Sequence, residues 1–269
     1  MTETSRQVVL ITGASSGIGR ALAVGWARRG AITVLTGRHV EALDAVVGEV
    51  RGVGGEVFCE AGDMTCEADR VRIVARALAP TGRLDVLVNN AGRGYYGSAR
   101  TIVPADLEGL FALNTVAPLR LTQLALEGLG QAAEASGHAT VVMISSVTGV
   151  VAAPRLGAYA ASKFALEALS AALRAEIAAS GIRVLVVRPG PVDTPFRARA
   201  TTTDGQPGVR PPGARVQSAD EVAELVIRAV VRGDAVLETS AFVKAASFAS
   251  RLMPSALRWV TRRMAGRSK

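Results

Sequence analysis

Six short, almost uninterrupted apolar runs recur along the chain, at Val8–Thr12, Ile32–Thr36, Val57–Ala61, Val86–Asn89, Val141–Ser145 and Val184–Arg188. Each is too short for a helix, rich in β-branched and aliphatic residues, and nearly free of the polar alternation that a half-exposed strand carries. Between them lie stretches of helical periodicity: Arg20–Arg29, Val40–Val50, Glu67–Ala79, Pro104–Ala135, Ala158–Ser180 and Ala219–Arg232. Strands apolar on both faces and separated by helices belong in a parallel sheet covered on both sides. The expected fold class is therefore α/β, a doubly wound parallel sheet of six to seven strands, with Ala235–Glu238 as the short seventh. The last helix opens on a capping box, Ser218 with Glu221 three residues on.

A chain of 269 residues with no linker-like run before residue 200 reads as one domain, residues 1–240, large enough to bury a sizeable core. Because only 4% of its residues are aromatic, that core must be built mostly from Ala, Val and Leu. Arg197–Gln217 breaks the alternation with Pro, Gly and Thr and is expected to be an irregular substrate loop. Residues 241–269 form a basic tail. From Thr239 to Lys269 there are seven basic residues and no acid, seven of the eight net positive charges, so the body is close to neutral and a nucleic-acid-binding face is not expected. Two cysteines, Cys59 and Cys66, make no disulfide framework, and no Cys/His cluster suits a metal. Without a signal-like N-terminus or a spanning apolar run, the expected location is cytoplasmic.

The first strand runs into Thr12-Gly13-Ala14-Ser15-Ser16-Gly17-Ile18-Gly19, and a helical pattern follows at once. Strand, glycine turn and helix form a phosphate cradle: glycines let backbone approach a pyrophosphate, and the helix N-terminus offers free N–H groups and the positive end of its dipole. The alternative is a tight turn that only packs helix on strand. Tyr159 and Lys163 stand four residues apart in a predicted helix and so share a face. A cation fixed beside a phenol favours the phenolate and makes its proton exchangeable nearer neutrality, below the ordinary value of about 10. Ser146 precedes Tyr159 by thirteen residues.

With these motifs in order, and with Asp63, Asn89-Asn90-Ala91-Gly92, Asn114, Ser145-Ser146 and Pro189-Gly190-Pro191-Val192-Asp193-Thr194 between and after them, the chain resembles the short-chain dehydrogenase/reductase family over about residues 5–238. The resemblance implies a Rossmann-type dinucleotide-binding fold and a set of roles. Tyr159 would be the general acid for ketone reduction and the base for alcohol oxidation. Lys163 would lower its pKa and bind the nicotinamide ribose. Ser146 would hold the substrate oxygen, with Ser145 a strand-end residue, and Asn114 would kink its helix and hold a water leading to the lysine. The glycine turn, through Gly13, Ser15, Ser16, Gly17, Ile18 and Gly19, would carry the phosphates. Asp63 and the Met64 backbone would receive adenine, Asn90 the strand end and ribose, and Val192 and Thr194 the carboxamide.

Cofactor choice rests on the end of the second strand, Leu35-Thr36-Gly37-Arg38. An acid there would bind a ribose 2′-hydroxyl. Here Gly37 occupies that position and Arg38 follows, which suits a 2′-phosphate and favours NADP over NAD. Many NADP-preferring relatives also carry a basic residue where this chain has Ser16. Tyr95, Tyr96, Val147, Pro191 and Phe196 are the candidate pocket residues, mostly apolar. The expected activity is NADP-dependent interconversion of a ketone or aldehyde and an alcohol on a lipophilic small molecule. The alternative is an NAD(P)-binding regulatory or membrane-surface protein with little turnover. A homo-dimer or homo-tetramer is implied by the resemblance. In the tail, Phe248, Leu252, Ala256, Val260 and Met264 recur every four residues. This stripe is expected to pack on the domain rather than on a membrane, because Pro254 interrupts it.

Overall fold

The computed structural model describes residues 6–203, 214–253 and 255. Its strands are β1 (Val8–Thr12), β2 (Ile32–Thr36), β3 (Glu56–Cys59), β4 (Val86–Asn89), β5 (Tyr95–Tyr96), β6 (Ala139–Ile144), β7 (Ile182–Arg188), β8 (Val192–Asp193), β9 (Thr201–Thr202), β10 (Gln217–Ser218) and β11 (Val236–Glu238). The helices are α1 (Gly17–Ala27), α2 (Val40–Gly52), α3 (Glu67–Leu78), α4 (Pro104–Phe111), α5 (Ala117–Ser136), α6 (Gly157–Glu176), α7 (Ala219–Arg232) and α8 (Ala241–Leu252).

Seven strands form one parallel sheet in the order β3-β2-β1-β4-β6-β7-β11. Because successive strand side chains point to opposite faces, Val9 and Ile11 of β1 join one core with Leu22 and Trp26 of α1 and Val226 and Val230 of α7. Val8 and Leu10 join the other, with Ile73 of α3, Leu121 and Leu129 of α5 and Leu166 of α6. Strands β1 to β3 run outward in one direction and β4 onward in the other. That order leaves a crevice beyond the carboxyl ends of β1 and β4, where ligands bind in sheets of this kind.

The expected helix Pro104–Ala135 is divided. Between α4 and α5 the residues Ala112–Val116 form a π-helical turn that holds Asn114. The helix expected to end at Ser180 closes as α6 at Glu176, followed by a short 3-10 turn. The capping box on α7 is present, with Ser218 accepting from the Glu221 amide and the Glu221 carboxylate from the Ser218 amide. Part of the Arg197–Gln217 excursion is regular: β9 pairs with β5, and β10, which begins at Gln217, pairs with β8. Residues 204–213 lie outside the described residues.

The tail meets the domain by a different face from the expected one. Helix α8 is anchored through Val243 and Ser247, whereas Phe248 and Leu252 are exposed. Val243 fits against Gly190, where a Cβ would stand 3.2 Å from it, and this groove selects the docking face. Ala256, Val260 and Met264 lie outside the described residues. Among the described residues no helix is long and apolar enough to cross a membrane.

Candidate active site

The turn after β1 is stitched to the end of β4. The Thr12 hydroxyl donates to the Val88 carbonyl at 3.2 Å and accepts from the Asn90 and Ala91 amides, each at 2.9 Å. Asn90 Nδ2 donates back to the carbonyls of Thr12 at 2.8 Å and Gly13 at 3.2 Å. Gly13 has φ +63°, and a Cβ there would stand 2.9 Å from Ala91 Cα, so both conformation and space require glycine. A Cβ on Gly19 would overlap the Gly13 carbonyl oxygen and stand 2.6 Å from Asn90 Nδ2. Ser16 precedes α1 as its N-cap and leaves that helix end open.

A cavity of about 560 Å³ runs from this turn to Tyr159. It is lined by Gly13, Ser15, Ser16, Gly17 and Ile18, by Arg38, Asp63, Met64 and Asn90, by Ser146, Tyr159 and Lys163, and by Val192 and Thr194. Gly19 and Asn114 are not on its wall. Gly19 packs behind the turn. Asn114 is fully buried, with Oδ1 accepting from the Arg93 amide at 2.9 Å and Nδ2 donating to the Arg93 carbonyl at 3.0 Å and Ser162 Oγ at 3.1 Å. It reaches the site indirectly: a Cβ on Gly92 would lie 3.1 Å from Asn114 Oδ1 and 3.8 Å from Lys163 Nζ, so the two flank one gap.

Ser146 caps a short turn by accepting from the Thr148 amide at 3.1 Å, which fixes its hydroxyl. That hydroxyl is hydrogen-bonded to Tyr159. The Tyr159 ring lies 5.9 Å, centroid to centroid, from Phe196. Burial pushes the Tyr159 phenol well above its ordinary value, the Ser146 hydrogen bond draws it back, and Tyr96 pushes it further. The net shift is therefore upward where a lowered value was expected, because desolvation dominates. Lys163 Nζ donates to the Ile144 carbonyl at 2.8 Å, and burial pulls its pKa down to about 8 against the upward pull of Glu167. Glu167, one turn further along α6, is gripped by Arg188 of β7 at 3.0 and 2.7 Å, and Arg188 also reaches Glu238 at 3.2 Å.

At the far end, burial raises the Asp63 carboxyl, but the Thr65 amide and hydroxyl, with Arg38 nearby, outweigh it and leave the group below its usual range. The Met64 carbonyl accepts from the buried Arg70. Arg38 is exposed on the cavity rim. Of the candidate pocket residues, Tyr96, Val147, Pro191 and Phe196 line the cavity and Tyr95 does not: alternation along β5 turns it into the core, 1% exposed. Sequence reasoning missed Arg93, Arg155, Arg197 and Arg199, which also line the cavity. Arg155 carries the one non-glycine positive φ among the described residues, +65°.

A family model described as short chain dehydrogenase matches residues 7–205. The chain belongs to the short-chain dehydrogenase/reductase family. Among its relatives in this family is Dehydrogenase/reductase SDR family member 7B of Mus musculus, 37% identical over 230 residues, or 83% of this chain and 70% of the relative. Two solved structures are similar over most of the chain. One is a short chain dehydrogenase/reductase from Burkholderia phymatum in complex with NAD, with TM-score 0.78 and 27% identity over 96% of each chain. The other is an alcohol dehydrogenase from the archaeon Thermococcus sibiricus complexed with 5-hydroxy-NADP, with TM-score 0.75 and 27% identity over 87% of this chain and 94% of that one. As a member of this family the protein is an NAD(P)-dependent oxidoreductase.

Proposed function

We propose that the protein interconverts a ketone or aldehyde and an alcohol on a lipophilic small molecule, with NADP as the preferred cofactor. The observation that carries this reading is the Tyr159 hydroxyl, hydrogen-bonded to Ser146 in a cavity that begins at a glycine turn able to hold phosphates. The cradle fits a dinucleotide: Gly13 and Gly17 put no side chain of their own into the turn, and the N-terminus of α1, without a side-chain cap, stands open beside it. Gly13 to Ile18 would hold the phosphates, Asp63 and Met64 the adenine, Asn90 and Lys163 ribose, and Val192 and Thr194 the carboxamide. The bound cofactor would supply or accept the hydride.

The chain's own residues do the rest. Ser146 and Tyr159 donate hydrogen bonds to the substrate oxygen and stabilise the charge that gathers there during reduction. The Tyr159 phenol, shifted upward from an already high ordinary value, is protonated at neutral pH and is available as the general acid. The Lys163 ammonium stabilises the phenolate left behind. Val147, Ala153, Pro154, Leu156, Tyr96 and Phe196 give the substrate end its apolar wall and exclude water.

The direct test is a panel of ketones, aldehydes and alcohols with NADPH and NADH. Turnover with NADPH should exceed that with NADH, and Arg38→Asp should move the preference towards NADH by putting a negative charge beside the 2′-phosphate. No turnover on any carbonyl would overturn the enzymatic reading, and wild-type preference for NADH would overturn the role of Arg38.

The lysine gives the reductive reaction a pH dependence. Its ammonium is present below about pH 8 and is lost as pH rises through that value. kcat/KM for reduction should be level below the transition and fall above it. Glu167 holds the lysine's pKa up, so Glu167→Gln should displace the falling limb to lower pH. An unmoved limb would remove Lys163 as its cause.

A further inference from the structure

Sequence leaves the glycine turn without a cation of its own: Ser16 stands where a basic residue would otherwise meet a 2′-phosphate. The fold brings one from elsewhere. Arg199 Nη1 donates to Ser16 Oγ at 3.1 Å, across 183 residues of sequence. Arg199 is exposed and lies on the wall of the same cavity as Arg38, Ser15 and Ser16. A Cβ at Gly37 would stand 3.6 Å from Ser15 Oγ, so the end of β2, which leads into Arg38, faces the glycine turn.

The segment that carries Arg199 is held at both ends. The Arg199 amide donates to the Pro195 carbonyl at 3.0 Å, and the Thr201 and Thr203 amides donate to the carbonyls of Gly94 at 3.1 Å and Tyr96 at 3.2 Å. At the near end Thr194 lies against Gly17, 3.0 Å from where its Cβ would be. The guanidinium is therefore delivered to Ser16 by a fixed stretch of backbone. A hydroxyl is a weak partner for a guanidinium. A phosphate, planar-fork compatible and dianionic, is a strong one.

We infer that Arg199 is a specificity-determining residue that binds the 2′-phosphate of NADP together with Arg38, supplying from the loop after β8 the charge that the glycine turn lacks. The inference rests on the NADP reading above. Ser16 Oγ holds the guanidinium in place until the phosphate takes it. Two arginines from separate segments then close on one anion, and neither suffices alone.

The test measures binding, by calorimetry, of NADPH, NADH and adenosine 2′,5′-bisphosphate to wild type, Arg199→Ala, Arg199→Lys and Arg38→Ala. Arg199→Ala should weaken NADPH and the bisphosphate by roughly 10- to 100-fold, the range for a hydrogen-bonded charge, and leave NADH nearly unchanged. Arg199→Lys should recover part of the loss, since it keeps the charge and loses the fork. Equal weakening of NADPH and NADH would overturn the assignment and place Arg199 on the diphosphate. Unchanged NADPH affinity in Arg199→Ala, with a loss in Arg38→Ala, would overturn Arg199 while the NADP reading stands. Wild type binding NADH as tightly as NADPH would overturn both.

Discussion

Tyr159→Phe should lower turnover by at least ~10²-fold, the low end for loss of a general acid–base group, while dinucleotide affinity is largely unchanged. The substitution removes a hydroxyl and leaves the ring, so the packing against Phe196 at 5.9 Å survives. The hydroxyl is the atom that Ser146 contacts and that burial keeps protonated. Measuring kcat beside the dissociation constant for NADPH separates the two effects. Near-normal turnover would remove Tyr159 as the proton donor. A parallel loss of affinity would mean that the ring, not the proton, had been disturbed.

Gly19→Ala should damage the cradle from behind, because Gly19 itself is not on the cavity wall. The added methyl would overlap the Gly13 carbonyl oxygen and crowd Asn90 Nδ2, which itself holds the carbonyls of Thr12 and Gly13. Neither neighbour is the loose end of a flexible chain. Overpacking of this kind costs typically ~1–3 kcal/mol, and in a chain of this size each kcal/mol lowers the melting temperature by about 2–4 °C. Displacement of the Gly13 backbone should weaken NADPH and NADH together, because the diphosphate is common to both. An unchanged melting temperature with unchanged affinity would mean that the turn yields freely and that its close packing matters little.

The seven-stranded sheet was legible because a strand buried on both faces has to be apolar along its whole length, and few other elements under eight residues look like that. The division at Ala112–Val116 was not, since a π-helical turn adds one residue to a helix without changing its composition. Pro118, within the first turn of α5, was the available signal. Fourteen of the sixteen residues expected at the site line one cavity, because a parallel sheet brings the carboxyl ends of its strands to one edge. Arg199 could not be read from the sequence, because its neighbour Ser16 is close only through the fold. Nor could the docking face of α8. A four-residue repeat marks a helix face, but which face docks depends on the groove at Gly190, to which no residue of the tail points in sequence.

The described ends of the excursion after β8 are fastened largely by main chain. Thr201 and Thr203 donate their amides to Gly94 and Tyr96, and Gln217 donates its amide to Pro191 at 3.0 Å. Bonds of this sort ask little of the side chains at Thr201 and Thr203, apart from excluding proline, whereas Gln217 is also tied to Thr239 through its side chain. Tyr159 and Lys163 are mounted elsewhere, on α6, and Ser146 just beyond β6, capping a short turn. On the function proposed above, Phe196 faces the substrate from this segment, while Tyr159, Lys163 and Ser146 stand on other elements. Selection, or an engineer, can exchange such a side chain by ordinary point substitution and leave those three where they are.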